Sequence, residues 1–281
     1  MFLRVRSSLA YLEILRPHNM LAAAFAVYAG FHAAAGRGFE GVAWLAALCA
    51  LATGGGNVAN DAFDADIDRV NKPRRPIPSG RLSVRAAFVW YAIVSVMVLV
   101  LALTQLPGPL AAIVCAWQAA LFAYARWLKR WWPAGNLAVA AISASALYGG
   151  AVAAGWPEAA VLPMAIAFAF VGCRELVKGV EDIVGDRAAG ARTLAVVAGR
   201  EAAARVAAAA MLILALLLPV PAVMGIYRPA YAWTMLVAVV PALIAGAVIA
   251  ARTKDTRAFT RTSRLLKLAM FAGLAAIVAG T

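Results

Sequence analysis

Long apolar stretches recur along almost the whole chain, and they leave few folds open to it. A helix needs about 20 mostly apolar residues to cross the hydrocarbon core of a bilayer. Nine stretches near that length can be read, at roughly 19–36, 40–60, 86–106, 109–127, 134–154, 159–180, 203–224, 229–250 and 265–281. Gly and Pro interrupt the first two and the last is short, so eight is the other admissible count. With 64% hydrophobic and 14% charged residues, the chain is far more apolar than a soluble domain. Lipid offers no partner for backbone polar groups, so such stretches span as helices. The sequence predicts an all-α polytopic membrane helical bundle of about nine transmembrane helices. It forms a single domain over residues 1–281, with no soluble domain visible.

The basic residues give an orientation. All but Arg37 and Arg228 of the 26 Lys and Arg fall in the leader and in alternate connections. By the positive-inside rule these segments and the N-terminus face the cytoplasm, and nine spans put the C-terminus outside. Arg4, Arg6 and Arg16 break up the first residues, so 1–17 reads as an interfacial lead-in rather than a cleaved signal. The net charge of +13 sits in membrane-flanking loops. It implies contact with anionic membrane lipids and no nucleic-acid partner.

Several residue types read as structural. Cys49, Cys115 and Cys173 are far apart in apolar spans, with no disulfide or zinc spacing. Trp127, Trp131 and Trp132 suit an interfacial aromatic belt. Gly54, Gly55 and Gly56 suit close helix packing rather than a phosphate loop. His32 is incidental, and His18 stands near the active side beside Arg16 and Asn19.

Eight of the thirteen acidic residues form two short clusters. The first runs Asn57, Asp61, Asp64, Asp68; the second runs Glu175, Lys178, Asp182, Asp186. At about 100° per residue, each set fits within an arc of roughly 60° on one helix face. Asp66 and Glu181 point away, and Asn60 lies at the border. Charges within a membrane bundle are rare and functional. Stacked carboxylates and an amide carbonyl form a hard oxygen surface suited to Mg2+, which takes one or two protein carboxylates, waters and phosphate oxygens. Two such helices would hold Mg2+ with a diphosphate between them. Metal neutralises the diphosphate and improves it as a leaving group, and a prenyl tail would lie among the apolar helices.

These residues resemble the UbiA superfamily of intramembrane prenyltransferases over nearly the whole chain. One hallmark reads Asn60-Asp61-x-x-Asp64-x-x-x-Asp68, followed by Asn71-x-Pro73-Arg74-Arg75-Pro76; the other reads Asp182-x-x-x-Asp186. Arg16-Pro17-x-Asn19, Tyr124, Lys129, Asn136 and Tyr148 are smaller matches. The run Arg174-Glu175-x-x-Lys178-x-x-Glu181-Asp182-x-x-Gly185-Asp186 resembles the archaeal digeranylgeranylglyceryl phosphate synthases. Gly179 and Ala195 depart from that pattern.

The resemblance implies a prenyl diphosphate donor, a lipid-like acceptor, and Mg2+ held by Asn57, Asp61, Asp64, Asp68, Asp182 and Asp186. These Asp residues are the expected catalytic set. Arg74, Arg75, Lys129 and Lys178 are expected at diphosphate oxygens. Tyr124 and Tyr148 are expected at the diphosphate or at the allylic cation, which aromatic faces favour. Arg16 and Asn19 are expected at the acceptor's phosphate. Two other classes stay open: an aromatic prenyltransferase acting on an acceptor such as 4-hydroxybenzoate, and a cation-coupled transporter using its intramembrane carboxylates.

Overall fold

In a computed structural model, the described residues are 2–253 and 255–281, with side chains described from residue 8 onward. Lys254 and the side chains of Arg4 and Arg6, counted above in the basic segments, lie outside the described part. Fifteen α-helices follow in order among the described residues: α1 (Phe2–Leu15), α2 (Pro17–Ala33), α3 (Ala43–Phe63), α4 (Ala65–Asn71), α5 (Val84–Gln105), α6 (Gly108–Arg126), α7 (Ala134–Ala153), α8 (Val161–Glu181), α9 (Ile183–Ala188), α10 (Leu194–Val197), α11 (Arg200–Leu217), α12 (Val220–Val223), α13 (Pro229–Thr234), α14 (Val240–Arg252) and α15 (Thr256–Gly280). A π-helical turn, Met235–Val239, joins α13 to α14.

Among the described residues, seven helical segments are long and apolar enough to cross a membrane. They are α5, α6, α7, α8 with its leading turn, α11 with α12, α13 with α14, and α15. The other two expected spans, α2 and α3, are shorter or more polar than these seven. Helix α2 has 17 residues, at the lower end of the lengths that cross a bilayer. Helix α3 has 21 residues but carries Asn57, Asn60 and Asp61 in its second half. Both are nonetheless part of the bundle: α2 packs on α7 and α3, and α3 packs on α5 and α6.

The closest seam is between α2 and α7. A methyl group added to Gly30 would stand 1.9 Å from the carbonyl oxygen of Leu147, and one on Gly150 would stand 1.9 Å from that of Val27. Small residues let backbones touch in this way in lipid. The Gly54–Gly56 run does less: its added methyls would meet only side chains, at 3.1 to 3.4 Å.

Two short helices matter most for the site. Each acidic cluster was expected on one unbroken helix face, and each is broken. Asp64 ends α3 and begins α4 with φ −97°, ψ 10°. Asp182 ends α8 and begins α9 with φ −93°, ψ 3°. Both lie in the sparsely allowed bridge region where many active-site residues sit. The chain thus builds the same junction twice, once in each half, and α4 packs against α9.

Candidate active site

Asn71, at the end of α4, ties the two junctions together. Its side-chain amide donates to the Asp182 carbonyl oxygen at 2.9 Å and accepts from the Gly185 amide at 3.0 Å. A second tie comes from the loops: the Arg192 amide donates to the Arg130 carbonyl at 2.7 Å, and the Trp132 amide donates to the Arg192 carbonyl at 2.9 Å. This brings Lys129, after α6, to the same place as Thr193, before α10.

Two adjoining cavities result. The smaller, about 120 Å³, is polar and is walled by Asp64 and Asp68 from the first junction and by Asp182 and Asp186 from the second, with Lys129, Asn136 and Thr193. The larger, about 820 Å³, opens beside Asn57, Asp61, Lys72 and Arg74, and its apolar walls include Ala26, Leu121, Ile142, Ala146, Phe170 and Met235. Arg16, Asn60, Asn71, Arg75, Tyr124, Glu175 and Lys178 line both. A charged chamber therefore stands over an apolar one of a size that holds a lipid tail.

The carboxylates are buried and engaged by cations. Asp61 and Asp68 are 2% and 5% exposed. Arg75 joins them, with Nη1 3.2 Å from Asp61 and 2.6 Å from Asp68. Arg16 also pairs with Asp61. It does so from a left-handed backbone, φ 54° and ψ 71°, which is costly for a non-glycine residue and is kept at functional sites. Lys129 stands 2.8 Å from Asp64 and 3.1 Å from the Asn60 amide oxygen. Lys72 pairs with Glu181 and lies 3.0 Å from Asp182. Lys178 pairs with Glu175 at 3.1 Å.

Cation demand remains after this pairing. Asp64 Oδ1 and Asp182 Oδ1 are buried without a hydrogen bond of acceptable geometry, although Lys129 and Lys72 face them. Asp186 has no ion pair among the described residues. Burial, then the neighbouring Asp182, pushes its carboxyl up to about 7. Burial likewise raises Asp68 to about 6, against the pull of Arg75. Lys129 is held below the ordinary lysine value by burial, which Asp64 only partly offsets. For Lys72 and Arg75, burial acts downward, but Asp182 and Asp61 respectively lead the attractions that leave each above its ordinary value. Among the described residues, no three carboxylates, imidazoles or thiols come close enough to enclose a metal by themselves. One or two carboxylates from each junction, completed by phosphate oxygens, is the arrangement Mg2+ prefers, and the chamber suits it.

The predicted site residues separate into groups. Asp64, Asp68, Asp182, Asp186, Lys129 and Lys178 meet in the polar chamber. Asn57 and Asp61 face the larger cavity instead. Asn57 is also taken up structurally: its amide donates to the Leu15 carbonyl at 2.9 Å and accepts from Asn19 at 3.3 Å. Arg74 lines the larger cavity, while its carbonyl accepts from Arg81 at 2.8 Å. Tyr124 stands where the two cavities meet. Tyr148 is 41% exposed and lines neither, so it falls outside the site. Asp66 points out to solvent and pairs with Arg69 at 2.7 Å. Glu181 is buried, not turned aside, because Lys72 and Thr260 hold it.

The sequence presents helix α15 as basic connection and ninth span, yet Thr260, Ser263, Arg264 and Lys267 line the larger cavity. Their spacing of three, four and seven residues marks one helix face, and that signal was available in the sequence. Lys72 and Asn71 carried a weaker signal, because their roles depend on contacts across more than a hundred residues.

Known proteins share this architecture. The chain matches the model described as the UbiA prenyltransferase family over residues 23–273. It is 39% identical over 270 residues to the digeranylgeranylglyceryl phosphate synthase of Natronomonas pharaonis, covering 95% of each chain. To the synthase of that name from Methanothermobacter thermautotrophicus it is 36% identical over 276 residues, covering 96% of this chain and 95% of the other. Among solved structures, one from work on digeranylgeranylglyceryl phosphate synthase in membranes superimposes with a TM-score of 0.70 at 26% identity, covering 98% of both chains. A UbiA homolog from Archaeoglobus fulgidus bound to GPP and Mg2+ gives 0.65 at 19% identity, covering 95% of this chain and 99% of the other, a likeness of fold.

Proposed function

The chain belongs to the UbiA prenyltransferase family, and from that premise we propose that it transfers a geranylgeranyl group from geranylgeranyl diphosphate to geranylgeranylglyceryl phosphate. The product is the doubly alkylated glyceryl phosphate of ether lipids. One observation carries the reading: the acidic junctions at Asp64 and Asp182 share a polar chamber that opens onto an apolar cavity of about 820 Å³. A diphosphate fits the first and a prenyl chain fits the second. The synthase relatives at 36% to 39% identity over nearly the whole chain support the choice of acceptor.

Asp64, Asp68, Asp182 and Asp186 would hold Mg2+, with Asp61 and Asn57 at the border of the larger cavity. Bound there, Mg2+ supplies charge neutralisation to the diphosphate leaving group. The chain's own residues do the remainder. Lys129, Arg75 and Lys178 offer charged donors to diphosphate oxygens, and Arg74 stands at the rim. Tyr124, at the junction, sets an aromatic face beside the carbon that becomes electron-poor. The acceptor's hydroxyl oxygen forms the new bond to C1 of the prenyl chain as the C1–O bond to diphosphate breaks. The bonding pair leaves with the diphosphate. The hydroxyl proton passes to a motif carboxylate or to the departing diphosphate. Placing this site on the cytoplasmic face of the membrane follows from the basic connections at that end of the bundle.

The test is an acceptor competition. Protein in lipid nanodiscs receives radiolabelled geranylgeranyl diphosphate with Mg2+, geranylgeranylglyceryl phosphate and 4-hydroxybenzoate. An acid-stable ether lipid is the expected product. Label found only in a prenylated hydroxybenzoate would overturn the reading.

A further inference from the structure

The site's cations are not evenly matched by its carboxylates. Arg16, Lys72, Arg75, Lys129, Arg174 and Lys178 each pair with an acidic residue. His18, Arg264 and Lys267 pair with none among the described residues. Lys267 Nζ instead lies 2.8 Å from His18 Nε2, so the ammonium donates to the imidazole and keeps its charge unpaired. Arg174, on α8 nearby, adds a buried Nε without a hydrogen-bond partner. All four line the larger cavity, together with Ser263, and none of them lines the chamber of the acidic junctions.

The cluster therefore has a position of its own. It is assembled from the start of α2, the last turns of α8 and the first turns of α15. Arg174 has Glu175 as its counter-charge, whereas Arg264 and Lys267 have none among the described residues, and an anion brought among the three relieves their mutual repulsion. The diphosphate of a donor is already provided for at the acidic junctions, where the metal-binding carboxylates stand. A second anion seat in the same cavity, away from that chamber, suits a second phosphorylated molecule. It also keeps two phosphate groups from meeting directly.

We propose that His18, Arg174, Arg264 and Lys267 form the seat for a phosphomonoester, the headgroup phosphate of the prenyl acceptor. This rests on the preceding reading of the substrates and deepens it. The seat selects for a phosphorylated acceptor and fixes its free hydroxyl relative to C1 of the donor. The phosphomonoester carries a charge between −1.5 and −2 near neutral pH, with oxygens that accept charge-assisted hydrogen bonds from such groups. A neutral acceptor has nothing to place there, and an aromatic carboxylate such as 4-hydroxybenzoate brings a single charge without the phosphate's extra oxygen.

Two measurements test it on the full-length protein in nanodiscs. In the first, Lys267→Gln and His18→Gln are compared with the parent for KM toward geranylgeranylglyceryl phosphate, its dephosphorylated alcohol and the donor. The KM for the phosphorylated acceptor is expected to rise about tenfold or more. The donor KM should stay within about twofold, and the preference for the phosphorylated acceptor should collapse. Lys267→Arg, which keeps the charge, should restore much of it and separates charge loss from misfolding. Unchanged preference, or a donor KM rising in step, overturns the proposal. The second measurement is equilibrium binding of a short-chain glyceryl phosphate ether without donor or Mg2+. Binding by the parent and not by Lys267→Gln supports the seat; equal binding, or none by the parent, overturns it. A parent that binds this probe yet makes no ether lipid would sink the reading of the reaction and leave the seat standing.

Discussion

Asn71 reaches across the bundle to Asp182, donating to its carbonyl oxygen at 2.9 Å while accepting from Gly185 at 3.0 Å. One amide side chain thereby fixes the second acidic junction against the helix that follows the first. The fit is tight, since a methyl group at Gly185 would fall 2.4 Å from the Asn71 amide nitrogen. Two motifs far apart in sequence are held in register by this contact.

Replacing Asn71 with Ala should thus act on the chamber as a whole. It leaves the Asp182 carbonyl and the Gly185 amide without their partner, a loss of about 1–3 kcal/mol. Loosening the support of ligand residues lowers activity by roughly 10- to 100-fold. Steady-state turnover against Mg2+ concentration should show a lower kcat and a higher Mg2+ requirement. Unaltered Mg2+ dependence would speak against the tie.

Asp64→Asn and Asp186→Asn, one at each junction, should each lower kcat by roughly 100-fold or more, as expected when charge stabilisation at a reacting centre is removed. Asp66→Asn is the matched control. That residue is exposed beside Arg69, and its turnover should match the parent within about twofold. Diphosphate release reads all three.

Removal of divalent cations should silence the enzyme reversibly. With the chamber's carboxylates left to Lys and Arg partners, EDTA treatment is expected to abolish diphosphate release, and added Mg2+ to restore it. Activity persisting after chelation and exhaustive exchange would contradict a metal-assisted departure of the diphosphate.

Ala146 is buried and lines the larger cavity beside Ile142 and Leu147. A Phe at this position fills space otherwise open to a prenyl chain. Its kcat/KM ratio for geranyl over geranylgeranyl diphosphate is expected to rise by about tenfold or more, the lower end of what one methylene is worth in an apolar pocket. An unchanged ratio would place the donor's tail elsewhere.

Gly30→Ala should destabilise the bundle by about 1–3 kcal/mol or more, because the added methyl meets main chain that has no room to retreat. Gly179→Ala is the contrast, since nothing lies within 4 Å of a methyl there. Thermal unfolding in detergent should separate the two.

The sequence made some of this legible and hid the rest for identifiable reasons. Apolar length and backbone satisfaction are local properties, so the helical bundle could be read directly. The acidic ligands were legible through their spacing and their cost in a membrane. The unbroken helix face was not, because Asp64 and Asp182 leave helical geometry only where the two junctions pack together. Glu181 points to the side by its helical angle, but its environment is set by Lys72 and Thr260, and neither is local to it. Tyr148 matched a motif position, yet α7 turns it outward. The α2–α7 seam is not legible in the sequence because Gly30 stands alone and Gly149–Gly150 is only a short pair, whereas the conspicuous Gly54–Gly56 run meets only side chains.

That seam has a consequence for how this scaffold can change. Helices α2 and α7 supply facing parts of the large cavity's wall, through Ala22, Ala23 and Ala26 on one and Ile142, Ala146 and Leu147 on the other. Where Gly30 and Gly150 bring peptide against peptide, the spacing of those walls is fixed by atoms that no side-chain replacement removes. At Ala22, Ala23, Ala26 and Ala146 substitution can only narrow the cavity, and side-chain volume along this edge can be given up only at Ile142 and Leu147. The α2–α7 pair behaves as the fixed jaw of a caliper, and any respacing of helices to admit a bulkier hydrocarbon falls to the rest of the wall, which α15 and the π-helical turn at Met235–Val239 help to complete.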